Sequence, residues 1–263
     1  MATNTPADVI NSALKIGKNK LDLQSKSYGR FALLTILAGI YIAFGGTLSL
    51  ILGYGFPEIT ASNPGLQKLL SGAAFPVGLI LVVVLGAELF TGNNALLMPY
   101  WMTRGCSLKD VIVNWTMVYL GNFVGALLFV YVMVYTAGLT APEPYHTAIV
   151  NIAQAKVSMP WLTVFVKGIG ANWCVCLAIW LALSAKSGGA KMFGCWLPVM
   201  AFVALGYEHS IANMFFIPCG MLEGADVTPA QMVVDNLIPA TLGNIVGGAL
   251  FVGCVHTYLH LKK

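Results

Sequence analysis

Six apolar stretches dominate this chain, and each is long enough to bear on how it can meet a lipid bilayer. A helix needs roughly 20 mostly apolar residues to cross about 30 Å of hydrocarbon. On that rule the spans fall approximately at 31–53, 72–100, 111–135, 160–185, 192–219 and 234–259, with the second and fifth interrupted. Runs such as FALLTILAGIYIAFGGTLSLILG lack the dyad alternation of a membrane barrel strand, so an all-α integral membrane bundle is expected. Composition supports this: 58% of residues are hydrophobic and 9% charged, against about 25% charged in soluble domains. A soluble domain, a disordered tail and a nucleic-acid binder are excluded.

Charge between the spans sets the expected orientation. Lys15, Lys18, Lys20, Lys26, Arg30, Arg104, Lys109, Lys186, Lys191, Lys262 and Lys263 fall on one side, Lys68 and Lys156 on the other, and Lys167 inside the fourth span. The positive-inside rule then places both termini in the cytoplasm of a multi-pass protein of the plasma (inner) membrane. No apolar core or cleavage site follows the first charges, so a signal peptide is not expected. Ile10, Ala13, Leu14, Gly17 and Leu21 recur at helical spacing among lysines, which predicts an amphipathic helix on the inner leaflet. The expected organisation is a cytoplasmic helix (1–30), a three-helix repeat (31–135), an extracytoplasmic connector (136–158), a second three-helix repeat (159–259) and a cytoplasmic tail (260–263). The six cysteines form no CxxC and mostly fall inside spans; they predict small packing residues, with no disulfide, metal or other cofactor.

The two halves repeat one another. LGNFVGALLFV (120–130) and LGNIVGGALFV (242–252) agree at eight of eleven positions at an offset of 122, and Asn114 and Asn236 share that offset. GAELFTGNN (86–94) and GYEHSIANM (206–214) align Gly86 with Gly206, Glu88 with Glu208 and Asn93 with Asn213 at an offset of 120. Three spans per half make the halves opposite in orientation, so the expected fold is six transmembrane helices as an inverted 3+3 repeat with helices 2 and 5 broken. Such folds are conduits with their site near the midplane. The GxxxG pairs Gly121/Gly125 and Gly243/Gly247 read as close helix packing.

Charges in hydrocarbon are costly and call for a reason. Glu88 and Glu208 sit at equivalent helix breaks, where a carboxylate can accept from the free N–H groups of the next half-helix; direct proton handling is the other reading. His209 has Leu89 as its repeat mate and so breaks the symmetry. Imidazole ordinarily titrates near neutral pH, which favours a proton-handling role over a buried histidine satisfied by a neighbour such as Glu208. Phe75, Leu79, Leu89, Phe90, Val175 and Phe202 are large apolar residues around it, and Thr91 and Asn172 add polar atoms at similar depth. Lys156, just outside the fourth span, either draws anions to a mouth or snorkels as an anchor. Lys167 has no assigned role. With no nucleophile–base pair or phosphate loop, the chain is not expected to be an enzyme, and the paired Asn-Pro-Ala motifs of water channels are absent.

Together, GAELFTGNN, GYEHSIANM, KGIGANWCVCLAIW (167–180) and LGNIVGGALFV make the chain resemble the formate/nitrite transporter family along essentially its whole length. The resemblance implies an aquaporin-like protomer and a homopentamer with one pore per protomer. It assigns His209 as the central pore histidine and Thr91 as its partner, with Lys156 and Asn172 in the vestibule. Phe75, Leu79 and Phe202 become the outer constriction, and Leu89, Phe90 and Val175 the inner one. Lys167, Asn172 and Trp173 look closer to nitrite-type members. The expected cargo is a small weak-acid anion, most of all formate, with nitrite, hydrosulfide or a short carboxylate as alternatives.

Overall fold

The computed structural model describes residues 3–261. Lys262 and Lys263, which count toward the charge asymmetry, lie outside the described residues. Helix α1 (Pro6–Lys26) begins where Pro6 fixes φ and Thr5 caps: its hydroxyl accepts from the Asp8 N–H, and the Asp8 carboxylate accepts from the Thr5 N–H. Ser107 and Asp110 repeat the device at α6 (Leu108–Phe129). Between them run α2 (Tyr28–Tyr54), α3 (Pro64–Ala74), α4 (Val77–Leu85) and the short α5 (Phe90–Leu96). A π-helical turn, Val130–Tyr135, extends α6. The second half holds α7 (Tyr145–Ser158), α8 (Trp161–Ser184), α9 (Gly188–Ala204), α10 (Ser210–Leu222), α11 (Ile238–Ile245) and α12 (Val255–His260). π-Helical stretches Met232–Leu237 and Val246–Cys254 join the last two into one long rod.

Among the described residues, five stretches are long and apolar enough to cross a membrane: Tyr28–Tyr54, Pro64–Leu85, Leu108–Tyr135, Trp161–Ser184 and Pro229–His260. Gly188–Ala204 and Ser210–Leu222 are apolar but shorter, so the region predicted as the fifth span is two helices in series. The chain leaves helix over 86–89 and again over 205–209. Gly86 and Gly206 adopt φ of 75° and 70° there, a left-handed conformation that glycine accepts without a Cβ clash. Leu89 and His209 then run extended into α5 and α10.

Close packing follows the small residues. A methyl group on Gly125 would overlap the Ile36 carbonyl of α2, and one on Gly247 would overlap the Ile169 carbonyl of α8. Most of the 136–158 connector is the ordered helix α7. One expectation needs correcting. Helix α1 does not present its apolar stripe to lipid: Ile10 and Ala13 are completely buried in the protein core, and the apolar face that suggested a leaflet anchor is spent on the bundle.

Candidate functional site

The two helix breaks are held by one hydrogen-bond pattern used twice. The Asn122 side chain accepts the Phe90 N–H at 2.9 Å through Oδ1, and its Nδ2 donates to the carbonyls of Thr35 at 2.7 Å and Glu88 at 2.9 Å. Asn244 accepts the Ser210 N–H at 2.8 Å and donates to the carbonyls of Gly168 at 2.8 Å and Glu208 at 2.9 Å. These asparagines satisfy the orphan groups that an interrupted helix leaves in a dry interior. The capping expected of Glu88 and Glu208 is therefore corrected. A neutral amide serves both an N–H and two carbonyls, which an acceptor-only carboxylate cannot do.

The carboxylates face other partners. Glu88 takes the Lys20 ammonium of α1 at 2.9 Å and Asn93 Nδ2 at 2.9 Å. Glu208 takes the Lys156 ammonium of α7 at 2.9 and 3.0 Å, Asn213 Nδ2 at 2.7 Å and Asn236 Nδ2 at 3.2 Å. Asn93 also donates to Asn114 and Asn213 to Asn236, at 2.9 and 2.6 Å. Both carboxylates are 3% exposed as residues, so each buried charge is paired and hydrogen-bonded, as its burial demands. Lys20 is the residue that sequence reasoning missed. It stands to the first half as Lys156 does to the second, but the separation of the two lysines is not the repeat offset, so alignment of the halves does not pair them.

Two cavities open on these ion pairs. One, of about 330 Å³, is lined by Lys20, Gly86, Glu88, Leu89, Asn93 and Lys191. The other, of about 270 Å³, is lined by Phe75, Lys156, Phe202, Glu208, His209 and Asn213. Leu79, Leu89 and Val175 are at most 2% exposed and belong to the same apolar core. Phe75 meets Phe202 edge-to-face at 5.8 Å between ring centroids, and Phe202 stacks on the His209 imidazole at 5.8 Å.

His209 sits at the N-terminal end of α10, 2% exposed. Its Nδ1 accepts the Ala212 N–H at 3.1 Å, and its Nε2 lies 3.0 Å from Thr91 Oγ1. With the Nδ1 lone pair engaged, the neutral ring carries its proton on Nε2 and donates it to Thr91. This supplies a satisfied partner, though it is Thr91 and not Glu208. Sequence reasoning thus brings His209, Thr91, Phe75, Phe202, Lys156 and Glu208 into one neighbourhood.

Two residues fall elsewhere. Asn172 lines neither cavity; it is completely buried and donates to Thr91 O at 3.1 Å, Asn94 Oδ1 at 3.0 Å and Asn244 O at 2.7 Å. These bonds brace the backbone of α5 against α8 and α11. Phe90 also lines neither of these cavities, because its ring packs edge-on against Trp115 and Tyr119 of α6. Lys167 places its ammonium 3.6 Å from Met159 Sδ.

Helices long and apolar enough to cross a bilayer define a multi-pass integral membrane protein. A family model described as formate/nitrite transporter matches residues 7–258. A probable formate transporter from Methanothermobacter thermautotrophicus is 40% identical, covering 98% of each chain. A solved structure described as an FNT family ion channel superposes with a TM-score of 0.87 at 32% identity, covering 96% of this chain and 98% of that one. A second, a pentameric formate channel with formate bound, gives a TM-score of 0.78 at 34% identity over 91% of this chain and 99% of that one. The chain belongs to the formate/nitrite transporter family.

Proposed function

We propose that the protein moves a small monovalent weak-acid anion, formate first among candidates, across the plasma membrane through one pore in each protomer of a homopentamer. The formate channel pentamer among its structural relatives supports cargo and assembly. The matched asparagine brackets and carboxylate–lysine pairs support reading the halves as an inverted 3+3 repeat, aquaporin-like in plan, and the excess of basic residues on one side supports both termini being cytoplasmic. The observation that carries the function is the His209–Thr91 hydrogen bond at 3.0 Å, set beside the seal between the two cavities.

An unpaired anion entering so dry a slit faces a Born penalty of tens of kcal/mol in the ideal limit. Protonating a carboxylate of ordinary pKa at neutral pH costs only about 5 kcal/mol. The neutral acid is the cheaper species, and nitrite and hydrosulfide, also conjugate bases of weak acids, follow the same logic. Lys156, and Lys20 at the other end, attract the anion while their carboxylates hold them in place. Phe75, Leu79 and Phe202 strip its water on one side, and Leu89 and Val175 do so on the other. At the seal the anion displaces Thr91 as acceptor of the His209 Nε2–H. Before that proton can pass, Nδ1 must itself take a proton from solvent water, because a neutral ring that lost its Nε2–H would be left as an imidazolate. Protonating Nδ1 breaks its bond with the Ala212 N–H, and the ring returns to neutral when the Nε2 proton leaves with the anion as neutral acid.

The test is uptake of labelled formate into proteoliposomes at fixed inner and varied outer pH, with nitrite and hydrosulfide as competitors. Uptake should rise on acidification above the protein-free leak, and His209→Asn, which donates but cannot relay, should flatten that rise. An unchanged pH profile in the variant would sink the relay; movement of nitrite without formate would rename the cargo.

A further inference from the structure

A third cavity, of about 600 Å³, is lined by Thr60, Gln67, Glu143, Thr147 and Asn151, among others. It shares Tyr54, Gln67 and Ile152 with the Lys156 cavity, so it forms an antechamber to it. Among the described residues, Glu143 is the one carboxylate in its lining, and a negative charge there is unexpected for a pore that admits anions. Glu143 is held by Thr147, whose Oγ1 donates to Oε1 at 2.8 Å, and Oε1 lies 3.7 Å from His146 Nδ1. The other face of the same imidazole meets a second carboxylate, with Nε2 3.9 Å from Glu223 Oε2. The Glu223 side chain is only 8% exposed, and Thr140 Oγ1 donates to its other oxygen at 2.6 Å. The charged groups against His146 are thus Glu143, from the segment ahead of α7, and Glu223, from the end of α10. Tyr145 beside it turns toward α2 at Gly55.

We propose that Glu143, His146 and Glu223 form an acid-set electrostatic filter at the mouth of the Lys156 cavity. With the imidazole neutral, Glu143 presents an uncompensated charge to the antechamber, with the buried Glu223 behind the ring, and anions are repelled. With the imidazole protonated, one negative charge is cancelled, and both carboxylates gain a charged partner. One unit charge within about a Debye length alters the local concentration of a monovalent anion by about two-fold. This inference rests on the transport reading above, but it acts on access and leaves the translocation step to His209.

The two roles separate in kinetics. In proteoliposomes with the Lys156 face outward, the apparent KM for formate should fall about two-fold from about pH 7.5 to about pH 5.5, where formate remains almost entirely anionic. His146→Gln should hold KM at its high value across that range while the maximal flux keeps its pH dependence. Glu143→Gln should give the low KM at both ends. His209→Asn should flatten the maximal flux and spare the KM shift. A KM shift that survives in His146→Gln, or that is absent from the unmodified protein, would overturn the filter. Absence of weak-acid uptake altogether would overturn the transport reading and the filter with it.

Discussion

At the residue scale, the chemistry of the centre depends on side chains that serve two masters. Asn244 joins the start of α10 to α8 and to the preceding residue 208 through three hydrogen bonds of 2.8–2.9 Å. Asn244→Ala strands a buried N–H and two carbonyls and is expected to lower stability by about 2–4 kcal/mol, read as an earlier thermal transition of the purified protein. Asn244→Asp should fare no better, since it keeps the acceptor but turns a carboxylate oxygen on two carbonyls. Thr91 permits a finer distinction. Thr91→Ser retains the hydroxyl that receives the His209 proton and should keep pH-dependent uptake. Thr91→Val removes that acceptor, and leaving the buried donor unpaired should cost about 1–3 kcal/mol, seen as an uptake loss of roughly ten-fold or more. Equal uptake by the two variants would show that the bond at 3.0 Å has no part in transport.

At the element scale, much was legible because the bilayer permits so few solutions. Spans, breaks and the positions of Gly86 and Gly206 follow from apolar length and the repeated GxE motif, and His209 stands out because its mate Leu89 is apolar. What the sequence hid is relational. Glu88 and Glu208 mark the breaks, yet the asparagines Asn122 and Asn244 cap them, and that division of labour depends on which side chains meet across helices. Lys20 was masked because α1 looks like a surface helix: its apolar residues cannot reveal whether lipid or protein will cover them. The partners of Asn172 and Phe90 were hidden for a similar reason, since a residue's depth is set by the span but its facing is set by neighbours. The Gly125 and Gly247 contacts are a prediction at this scale. Either glycine replaced by leucine forces α6 from α2, or the π-helical stretch Val246–Cys254 from α8, and should cost at least about 1–3 kcal/mol by overpacking, with loss of the folded protein on purification.

At the scale of the whole molecule, two equivalent ion pairs flank a centre that is not symmetric. Lys20–Glu88 lines one cavity and Lys156–Glu208 the other, both at 2.9 Å. Removing one lysine leaves a buried carboxylate uncompensated, a loss of about 3–5 kcal/mol, whereas removing both partners together relieves that charge. Lys156→Met should therefore be destabilising, and Lys156→Met/Glu208→Gln should recover much of the loss in thermal transition. The transport consequence is directional. Lys156→Met is expected to raise the apparent KM for formate presented from its own face and to leave that for the Lys20 face nearly unchanged, while Lys20→Met does the reverse. Neither variant can alter the final distribution of formate at equilibrium, because a pore sets rates and the gradients set the end point. Vesicles sorted by orientation, assayed from each face in turn, measure this. A KM change of equal size from both faces in each variant would mean that the lysines act on the shared seal and not on their own cavities.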